Sequence, residues 1–266
     1  MSRYSTMFAR LAARGEGALG AFLMLGDPDL EASGRLLDTL VESGADMIEA
    51  GIPFSDPVAD GPVIQAAASR ALRAGSRVDR CLNQLAEFRD RHPGIPIGVL
   101  TYANLLAARG RERFCSDLAA AGVDSLLIAD VPSLEAEPYA NAACSAGLDL
   151  VMIAAPNTPG EALARIARLC SGYTYCVARA GVTGERDDLA IEHEQLFSQL
   201  RQLDAPPPIL GFGISTPQQV RKALASGAAG VICGSAIVRL AAEEGPAAAG
   251  RFVAAMKAAT LARQEA

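Results

Sequence analysis

Eight short apolar runs recur along the 266 residues, each followed by a longer stretch rich in Ala, Leu and Arg. The runs lie at 19–25, 46–50, 96–100, 124–129, 148–154, 173–178, 208–212 and 229–233. They are near-continuous rather than alternating, the pattern of parallel strands buried on both faces. Between them, 31–43, 79–91, 110–121, 135–146, 160–170, 192–203 and 217–226 carry helical patterns. Gly44, Gly122, Gly147 and Gly227 stand just past four of these helices, where a left-handed residue closes the last turn. Strand then helix, eight times over, predicts an α/β fold, a (β/α)8 TIM barrel. A doubly wound open sheet is the alternative, but it usually uses fewer strands at this length. Tyr4, Met7, Phe8 and Leu11 recur at helical spacing and predict an extra N-terminal helix at the bottom of the barrel. No linker divides the chain, so 1–266 reads as a single domain.

Composition narrows the function. The 30 acidic residues outnumber the 24 basic ones, for a formal charge of −6. An acidic balance argues against nucleic-acid binding, which needs a basic footprint. No run approaches the roughly 18 apolar residues that span a bilayer, so no membrane role is expected. The first residues lack the charged-then-apolar layout of an export signal, and cytoplasmic localisation is the expectation. The six cysteines form no C-x-x-C pair, and His92 and His193 are the only histidines. No metal site is expected, and most of the cysteines read as buried, reduced thiols.

Two connections are longer than the rest, at 52–62 after strand two and at 178–188 after strand six. Both leave the C-terminal strand ends, where barrels place their chemistry. Strands seven and eight end in Gly211-Phe212-Gly213 and Cys233-Gly234-Ser235. Glycine amides and a helix start at this place suit a phosphate group. Gly181, Thr183 and Gly184 add further donors from the loop after strand six. Glu49 ends strand two, aimed at the mouth, and either Asp56 or Asp60 is able to return there from its loop. Two carboxylates beside one apolar pocket have their pKa values pushed apart, which suits proton transfer without metal or cofactor. Phe22, Leu100, Tyr102, Leu127, Ala129, Ile153, Phe212 and Ile232 fall near strand ends. Singly they read as core; together they form a flat slot for an aromatic ring. Tyr175 in strand six carries a hydroxyl within reach of substrate or Glu49. The residues alone therefore describe an acid/base enzyme acting on a phosphorylated substrate with an apolar part.

At these positions the chain closely resembles the tryptophan synthase alpha chain family. The resemblance rests on P-F-S-D-P-x-A-D-G-P at 53–62, on 96–104, 122–132, 172–175, 181–184, 211–215 and 234–238, in family order. It implies retro-aldol cleavage of indole-3-glycerol phosphate to indole and glyceraldehyde 3-phosphate. Glu49 is then the acid that protonates indole C3, Asp60 the partner of the indole N–H, and Tyr175 a group that helps position the substrate and Glu49. Gly184, Gly211, Gly213, Gly234 and Ser235 fall at the phosphate end of the substrate site. Phe22, Leu100, Leu127, Phe212 and Ile232 sandwich the ring, and Thr183 closes the strand-six loop over it. The resemblance also implies docking on a beta chain in an αββα assembly, with indole passed through a tunnel. The cofactor, pyridoxal phosphate, belongs to that partner, and none is expected in this chain. Pro53, Phe54, Ser55, Asp56, Pro57, Asn104, Asp130 and Pro132 match the contact surface. Ala50, Ala178, Ala180 and Asn157 depart from the family's usual residues, and bear on loop closure and coupling to the partner rather than on the reaction. A lyase working alone and a non-catalytic activating subunit are the competing readings. A scaffold has no need of Glu49 and Asp60 in an apolar mouth.

Overall fold

Eight parallel strands close on themselves in sequence order, each hydrogen-bonded to the next and the eighth to the first. The chain is described by a computed structural model over residues 2–177, 188–211 and 213–261, with backbone alone at 188–192. The strands are β1 (Ala18–Met24), β2 (Met47–Gly51), β3 (Ile97–Thr101), β4 (Ser125–Ile128), β5 (Asp149–Ala154), β6 (Thr174–Cys176), β7 (Pro208–Gly211) and β8 (Gly230–Cys233). Each lies within a few residues of its apolar run, because continuous apolar character suits a strand covered on both faces. Alternate side chains point to opposite sides. Leu19, Ala21, Leu23, Ile48 and Ala50 join the core under the helices, whereas Ala18, Phe22, Met24 and Met47 join the cluster inside the barrel.

Twelve α-helices are described: α1 (Arg3–Ala12), α2 (Leu30–Glu42), α3 (Pro62–Arg73), α4 (Val78–Arg91), α5 (Ala103–Arg109), α6 (Arg111–Ala120), α7 (Glu137–Ser145), α8 (Gly160–Leu169), α9 (Asp188–Gln202), α10 (Pro217–Ala225), α11 (Ser235–Glu244) and α12 (Pro246–Ala258). The four glycines expected past helix ends all have positive φ. Several helices lack a clean periodic signal. α12 is Ala-rich, and its Gly250 lets α2 pack close: a Cβ there would come 2.6 Å from Ser43 Oγ. A β8 strand followed by two helices thus closes the ring.

α1 plugs the N-terminal end of the barrel. Tyr4, Met7 and Leu11 share one buried face, as their spacing predicts. The Tyr4 hydroxyl reaches Ser125 Oγ at 2.7 Å. Arg3 and Arg10 flank it, paired with Asp124 and Asp46 at the starts of β4 and β2. The bottom is therefore sealed by an aromatic plug inside a ring of ion pairs, which leaves the C-terminal end for chemistry. Of the two long connections, 52–61 joins β2 to α3; the other, at 178–187, lies outside the described residues.

Candidate active site

Glu49 sits on β2 between Phe22 of β1 and Gly98 of β3 in the sheet register. Its parity in the strand points it inward, and it is 1% exposed. The Tyr173 hydroxyl, just before β6, donates to Glu49 Oε1 at 3.1 Å. Burial in this apolar interior raises the Glu49 pKa to about 8. The Tyr173 hydrogen bond pulls it down, and the negative charge of Asp60 pushes it up. At pH 7 such a group is protonated by roughly ten to one. A carboxyl that stays neutral at physiological pH is a proton donor in waiting.

Asp60 is half-buried at the end of the 52–61 loop, just before α3. Two hydrogen bonds hold its backbone: its N–H donates to the Pro57 carbonyl and its own carbonyl accepts from Gln65 Nε2. Its carboxyl pKa is raised by burial and drawn back by a hydrogen bond from the Tyr102 hydroxyl. Of the two loop carboxylates, Asp60 is the one whose charge acts on Glu49; Asp56 is exposed and accepts from Ser55 Oγ.

Tyr175 on β6 is buried, its ring laid over Gly211 of β7. A Cβ at position 211 would fall 2.2 Å from the Tyr175 ring and hydroxyl, so only glycine fits there. The negative charges of Glu49 and Asp60 raise the Tyr175 pKa further above its buried value. The three groups thus share one electrostatic neighbourhood. Phe22, Leu127 and Ile232 are all buried in the inner cluster, with Leu100 half-buried against it. Gly213 has φ +75°, with open space where a side chain would stand. Gly234 precedes α11, whose first N–H groups, beginning with exposed Ser235, have no side-chain cap. Thr183, Gly184 and Phe212 lie outside the described residues.

The segment that matched a contact surface lies at the ends of β2, β3 and β4. Ser55, Asp56, Asn104, Asp130 and Pro132 are exposed there, Phe54 and Pro57 half-buried, and Pro53 buried. Asp130 also has a local task, accepting the Ala103 N–H that opens α5. Sequence reasoning missed Tyr173 as the hydroxyl that meets Glu49. Tyr173 and Tyr175 share a strand face, and only the stagger of a closed barrel decides which one stands level with β2. Five of the six cysteines are buried, Cys144 being the exposed one. Among the described residues no cluster of three His, Cys, Asp or Glu is placed to hold a metal ion.

The family model described as tryptophan synthase alpha chain matches residues 8–265. The chain is 50% identical over 239 residues to the tryptophan synthase alpha chain of Shewanella amazonensis, covering 90% of each. It is 48% identical over 266 residues to that of Vibrio parahaemolyticus, covering 98% of this chain and 99% of the other. Among solved structures, the tryptophan synthase alpha chain of Legionella pneumophila superposes with a TM-score of 0.88 at 30% identity, over 100% of both chains. A chain of the aminoacrylate-bound tryptophan synthase of M. tuberculosis gives 0.88 at 31%, over 98% of this chain and 100% of that one. Near-half identity from end to end, on a barrel whose mouth holds a buried acid beside a second carboxylate, leaves one conclusion: the chain belongs to the tryptophan synthase alpha chain family.

Proposed function

We infer that Glu49 supplies the proton for a carbon–carbon bond cleavage at the barrel mouth. The chain is a lyase of tryptophan biosynthesis: it splits indole-3-glycerol phosphate into indole and glyceraldehyde 3-phosphate. Indole is a poor leaving group until its ring accepts a proton. In our reading neutral Glu49 protonates C3, and the electron demand moves to the ring nitrogen. Asp60 accepts the N–H hydrogen bond and offsets the positive charge that develops there. The Glu49 carboxylate then takes the proton of the adjacent glycerol hydroxyl. The carbon–carbon pair returns to the ring, the C–O bond becomes a carbonyl, and Glu49 ends protonated as it began. Tyr175 orients the ring against Phe22, Leu100, Leu127 and Ile232. Gly213, Gly234 and Ser235 offer amides to the phosphate, with the N-terminal dipole of α11 behind them. To Gly184, Phe212 and Thr183, which lie outside the described residues, we assign the phosphate, ring and loop-closing roles that the family resemblance implies. The observation that carries this reading is the buried Glu49 carboxyl with a pKa near 8, beside a half-buried carboxylate.

The family implies a beta-chain partner. We further propose an αββα assembly, indole transfer through an internal tunnel, and pyridoxal phosphate held by the partner alone. Exposed Ser55, Asp56, Asn104, Asp130 and Pro132, with Phe54 and Pro57 between them, form the face we assign to that contact; Pro53 would support it from beneath. We take 1–266 to work as one domain and place it in the cytoplasm, where its six free cysteines suit a reducing environment.

The test is to incubate the pure chain with indole-3-glycerol phosphate and follow indole release, with and without a beta chain. Glu49→Gln is expected to bind substrate yet lose indole formation by several powers of ten. A variant that keeps most of its turnover would remove Glu49 from the acid role.

A further inference from the structure

Tyr102 ends the connection from β3 to α5, with extended backbone, and is 2% exposed. Its ring stacks on Phe54, with centroids 5.2 Å apart and planes 27° from parallel. Its hydroxyl accepts the Ala59 backbone N–H at 3.3 Å, one residue before Asp60, and lowers the pKa of the neighbouring Asp60 carboxyl. One buried side chain from β3 therefore grips the β2 loop at both ends, at Phe54 and at Ala59–Asp60. Between the two grips lie Ser55, Asp56 and Val58, all exposed, with Val58 at 81%. A ten-residue loop without regular structure of its own has few other means of fixing a carboxylate. A planar ring clamped by stacking leaves its hydroxyl little freedom, so whatever displaces Phe54 must carry the hydroxyl with it.

We propose that Tyr102 is a positioning residue that sets the Asp60 carboxylate and, through the Phe54 stack, links it to the exposed face of the loop. The proposal rests on the reading that Asp60 holds the indole N–H. It adds the physical route by which contact at the loop's outer face reaches that bond. Among the described residues, the titratable groups that act on or feel Asp60 are Tyr102 beside it, Glu49 from β2 and Tyr175 from β6. Tyr102, whose hydroxyl is fixed on the adjoining Ala59 N–H, is the one that favours its ionised form.

The experiment uses the full chain, with indole-3-glycerol phosphate as substrate and indole release measured across pH. Tyr102→Phe keeps the ring and the stack but removes the hydroxyl. It is expected to lower kcat/KM by about tenfold at neutral pH and to move the acid limb of the profile upward, since Asp60 loses the donor that favours its charged form. Phe54→Leu keeps the hydroxyl and frees the ring; it should move the same limb in the same direction by less. In an Asp60→Asn background, Tyr102→Phe should have little further effect. If Asp60→Asn itself turns over like wild type, the role of Asp60 fails and the proposal with it. If Asp60→Asn is slow but Tyr102→Phe leaves rate and acid limb unchanged, the positioning role alone is overturned. An equal loss in both backgrounds also overturns it, because the effect then bypasses Asp60. Should Tyr102→Phe not fold, the Phe54→Leu profile decides: a limb that does not move overturns the link.

Discussion

The Tyr173 hydroxyl reaches Glu49 from the far side of the barrel, four strands away, and donates to Oε1 at 3.1 Å. This bond favours the ionised carboxyl while burial opposes it, and burial wins. Removing the hydroxyl leaves burial less opposed. In Tyr173→Phe the Glu49 pKa should therefore rise above 8, and the acid form should persist to higher pH. The basic limb of the kcat profile, which reports the acid in the enzyme–substrate complex, is expected to move upward by up to about one unit. A pH series of indole release on wild type and variant measures it. A limb that stays put would show that Glu49 leaves Tyr173 when substrate binds.

The same burial makes the acid a liability for stability. The folded-state pKa of Glu49 is raised from about 4.5 to about 8, so the folded chain holds a proton that the unfolded chain has released. Between those values stability falls as pH rises, because the native state binds more protons than the unfolded one. Glu49→Gln removes this ionisation. The variant should gain on wild type as the pH is taken from 5 to 8, by on the order of 3 kcal/mol, while losing turnover. Paired denaturant titrations at the two pH values read the difference. Parallel stability curves would mean that water or a rearrangement relieves the buried charge.

Much of the fold was legible because its signals are local. Apolar runs bounded by turn residues located all eight strands, and the glycines past the helices marked their ends. Helices without a period were harder. α3, α5 and α12 are short or Ala-rich, and their boundaries come from packing rather than pattern. In the site, strand parity was enough to aim Glu49 and Tyr175 inward. The choice of Asp60 over Asp56 came from the family motif alone, since the loop geometry behind it depends on Tyr102, 42 residues further on. The meeting of Tyr173 with Glu49 was not legible at all, because the height of one strand against another across the barrel is set by closure of the sheet.

Gly211 and Tyr175 test how tightly that closure fixes the mouth. They lie on neighbouring strands, and Tyr175 occupies the space that any side chain at 211 would need, to within 2.2 Å. The obstacle is the body of the ring as well as its hydroxyl, so small rotamer changes offer no relief. Gly211→Ala should therefore destabilise the chain by about 1–3 kcal/mol and expel the Tyr175 ring from its place beside Glu49 and Asp60. Shortening the ring in the same chain, as in Gly211→Ala with Tyr175→Val, should recover most of the stability lost to the clash. Turnover should stay well below wild type, because the ring that orients the substrate is then absent. A double-mutant cycle in stability and in kcat/KM separates the two effects, and the pair should be strongly non-additive in stability. Additive losses would mean that β7 moves outward to admit the methyl group, and that the barrel wall yields where the packing says it is rigid.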